Sequence, residues 1–184
     1  GERRLGGDWR IGKAGEWVAW RARHIDPMNR LLNRFIVFAD FFQFVLIDEL
    51  SDEDLSGVNW NDESMRNMLL PGEGIVCFGT LRNVDVPIEI HVVESPPEID
   101  WEKFDHAVEA SINFSSGCVA VMGCADYLPD AAKLEITPGS YRLLYKISGS
   151  DSINNEWEPA DDLYSVYLWP SEFRPIKLIK AFKW

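Results

Sequence analysis

The sequence is poor in the residues that most often carry chemistry. Only 3 histidines and 3 cysteines occur among 184 residues. His24, His91 and His106 stand isolated, and neither a Cys-x-x-Cys nor a histidine pair at helical spacing is present. No metal spacing can be read from such a set, and no cofactor is expected. Three cysteines are an odd number and too few for a disulfide scaffold. Cys77, Cys118 and Cys124 therefore read as free thiols in a reducing cytoplasm. A Gly-x-Ser-x-Gly elbow is missing, and Pro71-Gly72-Glu73-Gly74 has neither the spacing nor the lysine of a phosphate loop. Long apolar runs are missing too. The longest, Phe35–Ile47, is broken by Asp40 and Gln43 and is too short to span a bilayer. No start shows the basic, apolar and small-residue order of a secretion signal, so a cytoplasmic location is expected.

Positive charge is also scarce. Eighteen Lys and Arg face 30 Asp and Glu, a formal net charge of −12. Nucleic acid and anionic membranes repel such a chain, whereas a basic protein complements it. The imbalance is uneven. Residues 1–27 carry six basic and four acidic side chains, leaving 12 basic and 26 acidic for residues 28–184. The change falls at Met28, and the chain starts at Gly1. Residues 1–33 are accordingly expected to be a basic N-terminal arm, an expression remnant or a read-through segment, with Met28 as the native start. Residues 34–184 are expected to form a single domain. At 46% apolar content that length can bury a substantial core.

What is present is a succession of short apolar or alternating runs punctuated by turn residues. Arg34–Ile47 predicts one long strand, or two with a bend near Asp40. Asn61–Leu69 predicts a short helix with Met65, Met68 and Leu69 along one side, ended by Pro71-Gly72. Strands are predicted over Gly74–Leu81, Pro87–Val93, His106–Phe114, Cys118–Gly123, Lys133–Ile136, Ser140–Ile147, Leu163–Trp169 and Ile176–Phe182. In His106–Phe114 the inward set is Val108, Ala110, Ile112 and Phe114. In Ser140–Ile147 it is Tyr141, Leu143, Tyr145 and Ile147. The fold class is all-β: an antiparallel β-sandwich of about eight or nine strands with one short helix.

Two acidic stretches with a tryptophan stand out. Asp48-Glu49-Leu50-Ser51-Asp52-Glu53-Asp54 holds five carboxylates in seven residues, followed by Trp60, Asp62 and Glu63. Later, Asp151, Glu156, Glu158, Asp161 and Asp162 surround Trp157. Dense acid with an exposed aromatic suits the covering of a basic cleft, because charge speeds the encounter and the aromatic anchors the complex. The expected partner contacts are Asp52, Glu53, Asp54, Trp60, Asp62 and Glu63, then Asp151, Trp157, Glu158, Asp161 and Asp162. Two other readings stand beside this one. In a carbohydrate- or ligand-binding sandwich, Trp101, Trp157 and Trp169 would line a platform. In a hydrolase built on dispersed carboxylates, a cleft would hold a carboxyl group of raised pKa.

The order of motifs resembles the competence protein J family, small bacterial inhibitors of a DNA-entry nuclease. Three places carry the resemblance. They are the strand Phe35–Ile47 running into an acidic loop, the block Asn59-Trp60-Asn61-Asp62-Glu63 before a short helix and the strand Gly74–Phe78, and Leu134-Glu135-Ile136-Thr137-Pro138-Gly139-Ser140-Tyr141-Arg142. Asn59 departs from the aspartate expected there, and the Asp151–Asp162 loop is long for the family. The resemblance implies an inhibitor that binds a nuclease and has no catalytic residues. Together with the charge, it points to an immunity protein that neutralises a basic nuclease or toxin by direct contact, with no part for nucleic acid or membrane.

Overall fold

The computed structural model describes residues 24–26, 30–53, 55 and 59–184. The expected basic arm and Met28 therefore lie outside the described residues, apart from His24–Asp26 and the stretch from Arg30 onward, and so does Asp54.

Twelve strands and one α-helix follow in order among the described residues: β1 (His24–Asp26), β2 (Arg30–Phe38), β3 (Gln43–Asp48), α1 (Asp62–Asn67), β4 (Leu69–Pro71), β5 (Ile75–Gly79), β6 (Asp85–Val92), β7 (His106–Phe114), β8 (Cys118–Gly123), β9 (Ala132–Glu135), β10 (Gly139–Ser148), β11 (Leu163–Pro170) and β12 (Lys177–Lys180). They form two sheets. The larger runs β1-β2-β6-β11-β10-β7-β12 and the smaller β4-β5-β3-β8-β9. The all-β sandwich expected from sequence is what forms. One detail differs: β11 lies parallel to β6, with Tyr164 opposite Ile88 and Leu168 opposite Val92. The other pairings are antiparallel.

Alternation builds the core. Val108, Ala110, Ile112 and Phe114 of β7 join Leu143, Tyr145 and Ile147 of β10 between the sheets. Phe44 stacks on Phe78 with ring centroids 4.7 Å apart, and Tyr145 meets Phe78 edge-on. The Tyr145 hydroxyl donates to the Gly79 carbonyl at 2.6 Å, which satisfies the one polar atom of a fully buried ring. Strand β3 is apolar on both faces because its outer face is covered as well. Val45, Ile47, Cys77 and Met122 are roofed by Leu55, Trp60 and Leu70.

The long apolar run resolves into two strands in different sheets. The chain leaves the larger sheet at Phe38, turns through Asp40–Phe42 and enters the smaller sheet at Gln43. A glycine allows this corner to form: a Cβ on Gly123 would lie 2.3 Å from the Phe38 carbonyl oxygen. The helix is shorter than its pattern suggested. Asn61 caps it, accepting from the Ser64 backbone N–H while its own N–H donates to Ser64 Oγ, and Met68 in the left-handed region ends it. Leu69 already belongs to β4, and Met65 is exposed. The buried side of the helix is Ser64 and Asn67, so the expected Met65–Met68–Leu69 stripe does not exist.

Candidate functional site

Two ends of the sandwich share out the acidic residues. β3 separates them, a span of about 17 Å for its six residues. At one end β3 finishes at Asp48. This carboxylate is buried, which alone would raise its pKa, but it accepts from the Ser116 and Leu50 backbone N–H groups and is held below its ordinary value. Asp52 and Glu53 follow on the exposed loop. They border a groove of about 610 Å³ with Glu73 and Phe173.

Trp60, Asp62 and Glu63 do not join that loop. Trp60 lies at the far end of β3, where its indole Nε1 donates to Gln43 Oε1 at 2.8 Å. It is half-buried against the outer face of the smaller sheet. Asp62 and Glu63 are exposed in the first turn of α1, where the helix N-terminus favours carboxylates.

The second expected cluster occupies this same far end. The Asn67 carbonyl at the foot of α1 accepts from Nε2 of His106, the first residue of β7. His106 stands opposite Ile147, just before β10 gives way to the loop 149–162. That loop is pinned from beneath. Arg82 Nε donates to Asp162 Oδ2 at 2.9 Å, Arg82 Nη2 to Asp162 Oδ1 at 2.5 Å, and Arg82 Nη1 to the Glu158 carbonyl at 2.9 Å. The Tyr164 hydroxyl completes the set by donating to Asp162 Oδ2. Asp162 is 0% exposed and ion-paired, so its expected role as a partner contact is corrected: it is an anchor of the loop. Above it, Asp151, Glu158 and Asp161 are exposed, and Trp157 is 74% exposed. The loop shape is set by Asn155 Oδ1, which accepts from the Trp157 and Glu158 N–H groups, and by Ser152 Oγ, which accepts from Asp161 N–H.

The structure thus joins Asp62 and Glu63 with Asp151, Trp157, Glu158 and Asp161 at one end of the fold, and leaves Asp52 and Glu53 at the other. Sequence reasoning missed Phe41, Phe42, Met65 and Tyr127, which are exposed at the Trp157 end. A run of apolar residues reads as core, and only the corner geometry turns Phe41 and Phe42 outward. The three tryptophans of the platform reading do not line one face. Trp169 is buried with Leu144 on the outer side of the larger sheet, while Trp101 and Trp157 sit on separate loops. Among the described residues no group of acidic, histidine and cysteine side chains is arranged to hold a metal ion, and no helix is long and apolar enough to cross a membrane.

These features define a two-sheet β-sandwich. Two solved structures share the fold. The crystal structure of ComJ, described as an inhibitor of the DNA degrading activity of NucA, from Bacillus subtilis, superposes with a TM-score of 0.60 at 13% identity, covering 76% of this chain and 96% of ComJ. The protein described as crocagin biosynthetic gene J superposes with a TM-score of 0.53 at 18% identity, covering 79% of this chain and 100% of its own. No family model and no curated protein sequence matches the chain.

Proposed function

We propose that this protein is an inhibitor or immunity protein that binds a basic nuclease or toxin in the bacterial cytoplasm and neutralises it without catalysis. The observation that carries the reading is one end of a ComJ-like sandwich, where Asp62 and Glu63 of α1 are exposed at the same end as the loop that bears the exposed Asp151, Trp157, Glu158 and Asp161. Charge of this sign steers a basic enzyme inward, and an indole is a favoured anchor once contact is made. The hydrolase reading gains no support from Asp48 and Glu89. Hydrogen bonds hold both below their ordinary pKa values, those to Glu89 coming from His91 and then Arg34, against burial.

The test is inhibition of DNA cleavage by purified NucA and by the nuclease or toxin encoded beside this gene, with the wild-type chain and with Asp62→Asn/Glu63→Gln/Glu158→Gln/Asp161→Asn. Wild-type inhibition that weakens with salt, and an association rate that falls at least tenfold in the variant, is the expected result. Equal affinity for wild type and variant would sink the reading.

A further inference from the structure

The corner at Asp40–Phe42 has a conformation at odds with its residues. Phe41 and Phe42 have φ values of 57° and 56°, the left-handed region in which a side chain without a hydrogen-bonding group is strained and in which glycine or asparagine is at ease. Neither ring is repaid by burial: Phe41 is 76% exposed and Phe42 47%. The backbone is nonetheless fixed from both sides. Ala39 N–H donates to the Val84 carbonyl and Thr80 N–H to the Phe42 carbonyl. The Asp40 carboxylate accepts from Cys124 N–H at 2.6 Å and Ala125 N–H at 2.7 Å. Glycine or asparagine would adopt the same turn with less strain. Two exposed aromatic rings kept at strained positions on a rigid support mark a surface held for contact.

We propose that Phe41 and Phe42 are the apolar anchor by which this protein seats in a pocket of a basic protein partner. The proposal rests on the inhibitor reading above and deepens it. The charge of the surroundings selects the partner. Asp85 stands opposite Phe38 at the start of β6, Asp62 and Glu63 open α1, and the loop pinned through Arg82 brings Glu158 and Trp157 to the same end. A rigid knob loses little freedom on binding, so it contributes more than a mobile loop of the same area.

Two measurements on the full chain test this. The first is thermal unfolding of Phe41→Gly and Phe42→Gly. An unchanged or raised melting temperature is expected, and a fall of more than about 5 °C would show that the rings serve the fold, overturning the proposal. The second replaces Phe41, and separately Phe173 at the opposite end, with the photocrosslinker benzoylphenylalanine in the source cells. The expected outcome is an adduct from position 41 with one basic protein whose affinity, measured after purification, falls at least tenfold with Phe41→Asn/Phe42→Asn. Unchanged affinity, or an adduct with a second copy of this chain, would overturn it. An adduct from position 173 alone would remove the anchor and leave the inhibitor reading standing. No adduct from either position would remove the anchor, and the inhibitor reading would then stand or fall on the DNA-cleavage assay alone.

Discussion

Arg82 and Asp162 form a bidentate ion pair in a region closed to solvent, 80 residues apart in the chain. The pair is satisfied on its remaining sides by the Glu158 carbonyl and the Tyr164 hydroxyl. It therefore joins the β5–β6 turn to the loop that presents Trp157. Arg82→Met leaves Asp162 buried without its counter-charge and is expected to cost about 3–5 kcal/mol in urea unfolding. The double variant Arg82→Met/Asp162→Asn should recover part of that loss. A single-variant cost under about 1 kcal/mol would show that the pair is open to water.

The same linkage predicts a local effect. In Arg82→Lys the fork geometry is lost while the charge remains, so the 149–162 loop should become the first site of limited proteolysis. Unaltered cleavage kinetics would mean that Asn155 and Ser152 hold the loop unaided.

His106 gives a pH dependence. Its Nδ1 accepts from Phe182 N–H while Nε2 donates to the Asn67 carbonyl, so the folded state holds the neutral ring. Burial pushes its pKa below the ordinary 6.5, with the Asn67 bond acting the other way. The unfolded chain then takes up a proton that the folded one refuses. The contribution of His106 is complete above pH 6.5 and is lost as pH falls below it. Urea midpoints should drop between pH 7.5 and 5.5, and the drop should shrink in His106→Gln. Equal slopes would assign the effect to other groups.

Lys146 behaves differently. Its Nζ lies 3.6 Å from the centroid of Phe104 and 4.4 Å from that of Tyr167, nearly sealed from solvent. Burial lowers its pKa from 10.5 to about 8, and Glu89 opposes the shift. The folded value lies under the unfolded one, so stability through this group rises with pH from about 8 to 10.5, and the penalty is complete below that window. Lys146→Met keeps the packed stem and should stabilise the protein by about 1 kcal/mol at pH 7. The gain should fade by pH 10. A loss at pH 7 would mean that the two rings repay the buried charge in full.

Asn61 is the last case. Its reciprocal bonds with Ser64 hold the first turn of α1. Asn61→Ala should cost about 1 kcal/mol. Because Asp62 and Glu63 ride on that turn, the proposed inhibition should weaken along with stability. Weakened stability with intact inhibition would place the contact elsewhere.

Much of the fold was legible because alternation states which side of a strand is buried. β7 and β8 have the bounds expected, and the inward sets of β7 and β10 lie in the core as expected, although the other face of β10 is buried as well through Arg142, Leu144 and Lys146. The short edge strand β4 was not equally legible. Leu69–Pro71 has too few residues to show a period, and Leu69 reads as the end of the helix. At the candidate site, charge picked out two acidic stretches but not their places in the fold. Trp60 follows Asp52–Asp54 closely in sequence, yet Leu55 and Trp60 cross the outer face of the smaller sheet, so nearness along the chain becomes separation in space. The inward turn of Asp162 was hidden for a similar reason, since its partner Arg82 lies across a distant turn. Phe41 and Phe42 were hidden by their own hydrophobicity.

Strand β11 stands between β6 and β10, and with it the larger sheet divides into β1-β2-β6 on one side and β10-β7-β12 on the other. Until residues 163–170 emerge from the ribosome, each half presents a bare edge to its surroundings. Closure of the sheet must therefore wait for residues 163–170. During that interval the net negative charge of the chain opposes edge-to-edge association with its neighbours.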